Sequence, residues 1–367
     1  IGNEKVQINI PQLGIKQKLT TDRKGKVVFE IRSRKIKYWS LENPFLYDVT
    51  IETTEEILTD QIGFRTIKTR GTDILLNGKS VYLKGISIHE ESPLRGGRGH
   101  SEADARQLLD WAKELGCNYV RLAYYPHNEH MVRLADQMGI LVWEENPVYW
   151  TIQWENEDTY ANAKNQLTEL IQRDKNRASV IIWSMANETP RSVARHTFLN
   201  NLAKHTRELD PTRLISAALE NRDYNGNPNI KTIEDDFADV VDILSFNQYF
   251  GWYYGDLEKS DEIQWKIKQN KPVIISEFGA GAKYGLHGSK TARWTEEYQD
   301  YLYAKTLKMI DKIEQLRGVS PWILVDFRSP RRVLPKIQDD WNRKGLMSEK
   351  GEKKMAFYTL KNYYDSK

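Results

Sequence analysis

The chain has 367 residues, of which 40% are hydrophobic and 29% charged, a balance that fits a globular protein of one large and one small domain. Its formal charge of +3 is too small to argue for nucleic acid, and no run nears the roughly 18 apolar residues of a membrane helix, so neither partner is expected. Cys117 is the one cysteine, which excludes an intrachain disulfide; between Gly116 and Asn118 it reads as a small buried hydrophobe at a strand start.

Taken in chain order, the opening Ile1-Gly2-Asn3 reads as the interior of a domain, so a leader and further domains are expected ahead of it. Residues 1–68 read as all-β. Val6-Gln-Ile-Asn-Ile10, Lys26-Val-Val-Phe-Glu-Ile31, Phe45-Leu-Tyr-Asp-Val-Thr-Ile51 and Ile62-Gly-Phe-Arg-Thr-Ile67 are short runs parted by turn residues, which predicts a small β-sandwich lacking its first strands. Residues 69–367 alternate strand and helix. Strands are predicted at 81–88, 118–122, 140–143, 179–188, 214–218, 241–245, 272–277 and 319–325. A helix opens at Ser101, a plausible cap, with Leu108, Leu109, Ala112 and Leu115 as its apolar stripe. Further helices are predicted at 131–138, 160–173, 193–209, 262–269 and 296–314. The alternation predicts a (β/α)8 TIM barrel. A doubly wound open sheet is the alternative, but no glycine-rich phosphate turn follows the first strand. The basic stretch 350–354 reads as a solvated surface.

Two apolar runs end in carboxylates. Ser179-Val-Ile-Ile-Trp-Ser-Met-Ala-Asn-Glu188 and Pro272-Val-Ile-Ile-Ser-Glu277 are short, β-branched and uninterrupted, the pattern of buried parallel strands. At the C-terminal end of a barrel strand a reactive side chain faces the mouth. One strand-end Glu alone would read as an ordinary ion-paired residue. Two facing one cavity are what cleavage of a glycosidic bond requires: one proton donor and one ionised nucleophile. Eleven Trp and nineteen Tyr supply faces on which sugar rings stack, or equally a large aromatic core.

Trp183-Ser-Met-Ala-Asn-Glu188 and Ser276-Glu-Phe-Gly279 resemble the acid/base and nucleophile motifs of family 2 glycoside hydrolases, the β-galactosidases and β-glucuronidases. Lys84-Gly-Ile-Ser-Ile-His-Glu90 resembles that family's first barrel strand. Trp39-Ser-Leu-Glu-Asn-Pro-Phe-Leu-Tyr47 and Gly63-Phe-Arg65 resemble its immunoglobulin-like domain and the exit from it. The resemblance implies an immunoglobulin-like sandwich over 1–68 and a catalytic barrel over 69–367. It implies Glu188 as general acid/base, Glu277 as nucleophile, Asn187 on the sugar 2-hydroxyl and Tyr249 as a donor to the nucleophile. His89, Asn247, Tyr253 and Trp322 are then pocket residues. Trp341-Asn-Arg-Lys-Gly345 resembles the Asn-x-Lys signature of β-glucuronidases, whose Asn and Lys bind the sugar carboxylate, so Asn342 and Lys344, helped by Arg332, imply a uronide. Asp339 and Asp340 stand close enough in sequence to neutralise these cations. Tyr124 stands where the family carries a pocket His.

The implied reaction is retaining, exo-acting hydrolysis of a terminal β-D-glucuronide or related uronide. A β-galactoside is the alternative substrate, and a carbohydrate-binding protein with an impaired barrel the alternative class. His127 and His130 lack a third ligand, so neither metal nor cofactor is implied. Glu144-Glu145 reads as a hydrogen-bonded barrel pair. A bacterial-type soluble enzyme is expected, cytoplasmic or periplasmic, with homo-oligomerisation left open.

Overall fold

The computed structural model describes residues 2–33 and 35–367. Eight parallel strands close into a barrel: Leu83–Ile88, Tyr119–Leu122, Leu141–Glu145, Val180–Asn187, Leu214–Glu220, Leu244–Asn247, Val273–Glu277 and Leu316–Val319. Each pairs with the next in chain order, and the eighth closes on the first through Gly318↔Leu83 and Val319↔Lys84. The fourth strand is buried at every position, as its unbroken apolar run requires.

Helices Glu102–Glu114, Glu129–Met138, Glu157–Asp174, Val193–Leu209, Glu296–Ile310 and Met355–Asp365 pack outside the barrel. Ser101 caps the first in a reciprocal capping box with Asp104. The helix predicted at 262–269 is absent. A short 3-10 turn ends at Glu262, and Gln264–Trp265 instead pairs as a strand with Asn227–Thr232. The residues Ile263, Trp265 and Ile267 are apolar at period two, a strand rhythm that outweighs the helix reading. The eighth strand also lies earlier than predicted, at Leu316–Val319. Beyond it the chain stays between the seventh and first strands in irregular pairing, with Trp322 N–H donating to Phe278 O and Leu324 N–H to Ser87 O. That continuation brings Trp322 to the mouth. The sixth strand begins three residues later than predicted and ends two later, which puts Asn247 at its end.

Ahead of the barrel stands one four-stranded antiparallel sheet, in the order Ile15–Thr20, Lys5–Ile10, Tyr47–Glu52, Ile57–Ile62. Residues 26–31 form no strand, and the run predicted at 62–67 divides: Ile62 ends one strand and Ile67 begins another, Ile67–Arg70. The connecting residues press on the barrel floor. A Cβ at Gly63 would meet Ala178 Cβ at 2.7 Å, so only glycine fits there. Arg65 Nε donates to Ala178 O at 3.0 Å, and the buried Trp39 donates its indole N–H to Asp136 O at 2.7 Å. These contacts close the end of the barrel opposite the strand C-termini. The segment 350–354 is not all solvated: Lys354 is fully buried beside Asp326.

Inside the first strand, Gly85 leaves room for the buried ring of Tyr119, whose Cδ1 would lie 2.2 Å from an added Cβ. Gly85→Ala is therefore expected to destabilise by about 1–3 kcal/mol through overpacking. Gly99→Ala, whose nearest contact would be an ordinary 3.6 Å, should change little. Thermal unfolding midpoints of the two variants compare them directly.

Candidate active site

The C-terminal ends of the strands deliver the polar groups. Asn187 ends the fourth strand and Glu188 follows it; Asn247 ends the sixth and Glu277 the seventh. Arg121, from the second strand, and Glu145, ending the third, are fully buried beneath them.

Glu277 is held by three donors. Its Oε1 accepts from Arg121 Nη1 at 2.7 Å and Tyr124 OH at 2.8 Å, and its Oε2 from Tyr249 OH at 2.6 Å. Arg121 also donates to Glu145 at 3.1 Å and to Asn187 Oδ1 at 2.9 Å. Among the described residues Glu188 has no cation partner. Its Oε1 accepts from Asn247 Nδ2 at 2.8 Å and its Oε2 from Trp150 Nε1 at 3.0 Å. One relay links the two carboxyl groups, because Asn187 Oδ1 accepts both from Arg121 and, at 3.2 Å, from Asn247 Nδ2. Ser276 Oγ donates to Asn247 Oδ1 at 2.8 Å, which fixes the direction of that amide.

These surroundings set the protonation. Burial first, and the charge of Glu277 second, raise the Glu188 carboxyl above the usual range, against the bonds from Asn247 and Trp150. Burial first and Glu277 second also push the Tyr124 and Tyr249 phenols far up, so both stay protonated and donate. Burial holds His89 down at about 4, and its ring stacks on Phe327 at 4.1 Å.

Glu188 and Glu277 line one cavity of about 540 Å³. Of the sequence-predicted residues, His89, Tyr249, Tyr253, Trp322, Arg332, Asn342 and Lys344 line it too, whereas Asn187 and Asn247 support it from beneath. Lys344 is buried and donates to Tyr253 OH at 2.7 Å. Burial lowers the pKa of its ammonium. Burial would raise the Tyr253 phenol, but the Lys344 cation outweighs it and leaves that phenol below its ordinary value. Asp339 and Asp340 do not neutralise this corner: they face Lys283 at 3.9 Å and Arg328 at 3.8 Å. Among the described residues no ion pair includes Lys344, Arg331 or Arg332. A larger hollow of about 680 Å³ lies at the barrel floor between 62–69 and Arg213, with Asp242 as its one carboxylate.

Sequence reasoning did not single out Arg121, Tyr149 or Trp150 as site residues, and it took Tyr124 as a departure rather than a donor. An arginine inside a four-residue strand buried throughout was a legible signal for the first. Nothing in the sequence marked Trp150. His127 is buried, with Nε2 3.4 Å from Ala123 O and its ring against Tyr125 at 5.0 Å. Glu144 points away from the cavity toward Arg173, at 3.5 Å.

A (β/α)8 barrel with two carboxyl groups in one cavity at its strand C-termini has the architecture of a barrel glycosidase. The family model "Glycosyl hydrolases family 2, TIM barrel domain" matches residues 67–366, and "Glycosyl hydrolases family 2" matches residues 3–65. The chain belongs to glycoside hydrolase family 2. It is 30% identical to a β-glucuronidase of Streptococcus agalactiae over 94% of its own length and 63% of that protein's. It is 32% identical to the β-glucuronidase of Rattus norvegicus over 89% of its length and 51% of the rat protein's. Among solved structures, a β-galacturonidase of Eisenbergiella tayi bound to galacturonate superposes with a TM-score of 0.86 at 28% identity, covering 99% of this chain and 66% of that one. A Bifidobacterium dentium β-glucuronidase complexed with coumarin-3-O-glucuronide gives 0.85 at 26%, covering 99% and 60%. The chain thus spans less than two thirds of these relatives.

The buried setting of His89 gives a direct check. Its imidazole should stay neutral from pH 8 to pH 5 and titrate only near about 4. An NMR titration of the ring protons, assigned with His89→Gln, reads this.

Proposed function

We propose that residues 69–367 form the catalytic barrel, supported by residues 1–68, of a retaining, exo-acting β-glycoside hydrolase, and that its substrate is a terminal β-D-glucuronide or related uronide. The observation that carries this reading is the asymmetry of the two glutamates. Glu277 is held by a guanidinium and two phenols, the donors that keep a carboxylate ionised and directed. Glu188 has, among the described residues, no cation beside it and a raised pKa, the condition of a proton donor near neutral pH.

In the first step Glu277 attacks the anomeric carbon, the bond to the leaving oxygen breaks, and Glu188 gives that oxygen its proton. In the second, Glu188 takes a proton from water, the water oxygen attacks the same carbon, and the bond to Glu277 breaks. Asn187 supports the fit to a sugar. Its Oδ1 is fixed by two donors, and its Nδ2 is buried with no partner. An unpaired buried donor costs about 1–3 kcal/mol. A sugar 2-hydroxyl accepting from Nδ2 relieves that cost.

The uronide reading rests on Lys344, Arg332 and Asn342, which bring cations and an amide to one wall with no protein carboxylate paired to the cations. The names of the relatives, β-glucuronidases and a β-galacturonidase, support it. A neutral galactoside would leave the Lys344 ammonium without a counter-charge, and an impaired binding protein has no need of the complete glutamate pair.

Glu277→Gln is expected to abolish turnover. Glu188→Gln should cost about 10²–10⁴-fold on substrates with poor leaving groups and far less on nitrophenyl glycosides. Unchanged turnover in Glu277→Gln removes the mechanism.

The pH profile of kcat/KM should fall on its alkaline side as Glu188 loses its proton. Because the Trp150 bond lowers that pKa, Trp150→Phe should move this limb to higher pH.

Nitrophenyl glucuronide should be cleaved in preference to nitrophenyl galactoside. Lys344→Ala should weaken the glucuronide by about 10–100-fold, the loss of one charge-assisted bond, and leave the galactoside unaffected.

A further inference from the structure

The segment that carries the cationic wall alternates its side chains. Asn342 and Lys344 line the cavity, and Arg343 between them points the other way, into a buried ionic cluster. Asp326 is the centre of that cluster. Its Oδ1 accepts from Gly345 N–H at 2.8 Å and from Lys354 Nζ at 2.8 Å, and its Oδ2 from Arg343 Nη1 at 3.3 Å. Lys354, fully buried, directs its other donors to Ala282 O at 2.7 Å and Arg343 O at 3.2 Å. Ala282 N–H also donates to Arg343 O, at 2.8 Å. The fit is close enough that a Cβ on Gly345 would lie 2.2 Å from Asp326 N. The peptides on both sides of Lys344 are therefore fixed from behind by charge.

We propose that the Lys354–Asp326–Arg343 cluster sets the substrate preference, by holding the 342–345 segment where Asn342 and Lys344 meet a sugar carboxylate; this rests on the uronide reading above. Lys354 and Asp326 do not line the cavity and act as positioning residues. Lys344 carries its ammonium on a flexible stem, so the placement of its backbone limits where the charge sits. A misplacement of about 1 Å at a positioned group can cost about 10²-fold. Gly345 allows the approach, Asp326 fixes it, and Lys354 neutralises Asp326 while tying it to the neighbouring loop at Ala282.

The test measures nitrophenyl β-glucuronide and nitrophenyl β-galactoside hydrolysis in the wild type, Lys354→Met and Asp326→Asn, with Lys344→Ala as the reference for a lost clamp. In both cluster variants the glucuronide KM should rise about tenfold or more. Its kcat, and kcat/KM for the galactoside, should stay within about threefold. Asp326→Asn keeps the side-chain volume and an acceptor for Gly345 N–H, so it decides the matter if Lys354→Met does not fold. An unchanged glucuronide KM, equal losses on both substrates, or failure of both variants to fold overturns the proposal. A wild type that prefers the galactoside overturns the uronide reading itself. A wild type that prefers the glucuronide, loses that preference in Lys344→Ala and keeps it in both cluster variants overturns the cluster's role alone.

Discussion

The buried guanidinium of Arg121 is the constraint on which the mouth of the barrel depends. A charge in a fully buried strand is costly unless it is paired, and Arg121 is paired with Glu277 and Glu145 and also bonded to the Asn187 amide and the Ser276 carbonyl. Removing it would leave two acids uncompensated below the cavity. Trp143 Nε1 donates to Glu145 at 2.7 Å and so fixes the third strand's contribution to the same node. Four strands thus share one cation. Burial comes first and the charge of Glu277 second in setting Glu188 apart from the node. A third carboxyl group placed beside it, bonded only to neutral donors, resists ionisation.

The backbone around this node is strained where the side chains must turn inward. Tyr124, Trp150 and Glu188 all adopt positive φ, at 74°, 55° and 47°. None is glycine, asparagine or aspartate, the residues that accept this region most readily. All three line the cavity, and each bonds to one of the two glutamates or is one of them. Strain of this kind persists only where the surrounding packing over-determines it. Here the rings of Tyr124, Tyr149, Trp150 and Trp322 form a chain of contacts at 4.5–4.8 Å, which supplies that packing.

How much of this was legible in the sequence follows from which forces act locally. The barrel strands were readable because a strand buried on both faces must be an unbroken apolar run, and Val180–Asn187 and Val273–Glu277 are such runs. Their terminal carboxylates were readable for the same reason, since a charge ending such a run has only the mouth to face. The eighth strand was placed late because Pro321-Trp-Ile-Leu-Val is as apolar as a strand and is buried between the same two neighbours, but the regular pairing already ends at Val319. Arg121 and Lys354 were illegible as members of networks because their partners lie in distant strands and loops: Glu277 is 156 residues from Arg121, and Asp326 is 28 from Lys354. Sequence spacing carries no trace of such pairings. A lysine in the run Glu349-Lys-Gly-Glu-Lys-Lys354 reads as solvated unless an acid is known to wait for it.

The two halves of the mouth then follow opposite rules, and the difference bears on selectivity. At the glutamates nearly every polar atom is matched within the protein, so the groups are held in place before any ligand arrives. At the far wall Lys344 is buried among aromatic rings, donates to the Tyr253 phenol and, among the described residues, has no carboxylate paired to it. A buried cation without a counter-charge is a cost retained in the free protein, and it is relieved most by a ligand that brings a carboxylate. A site of this kind rejects a ligand lacking the group more strongly than a merely complementary surface does, because the mismatch leaves its own polar atoms unpaired. The same logic applies to Asn187 Nδ2, left without a partner beneath the glutamates. On this argument discrimination between sugars comes from what the protein leaves unsatisfied. Unmet donors select only if they cannot relax, and that is the part proposed for the buried ionic cluster behind Lys344.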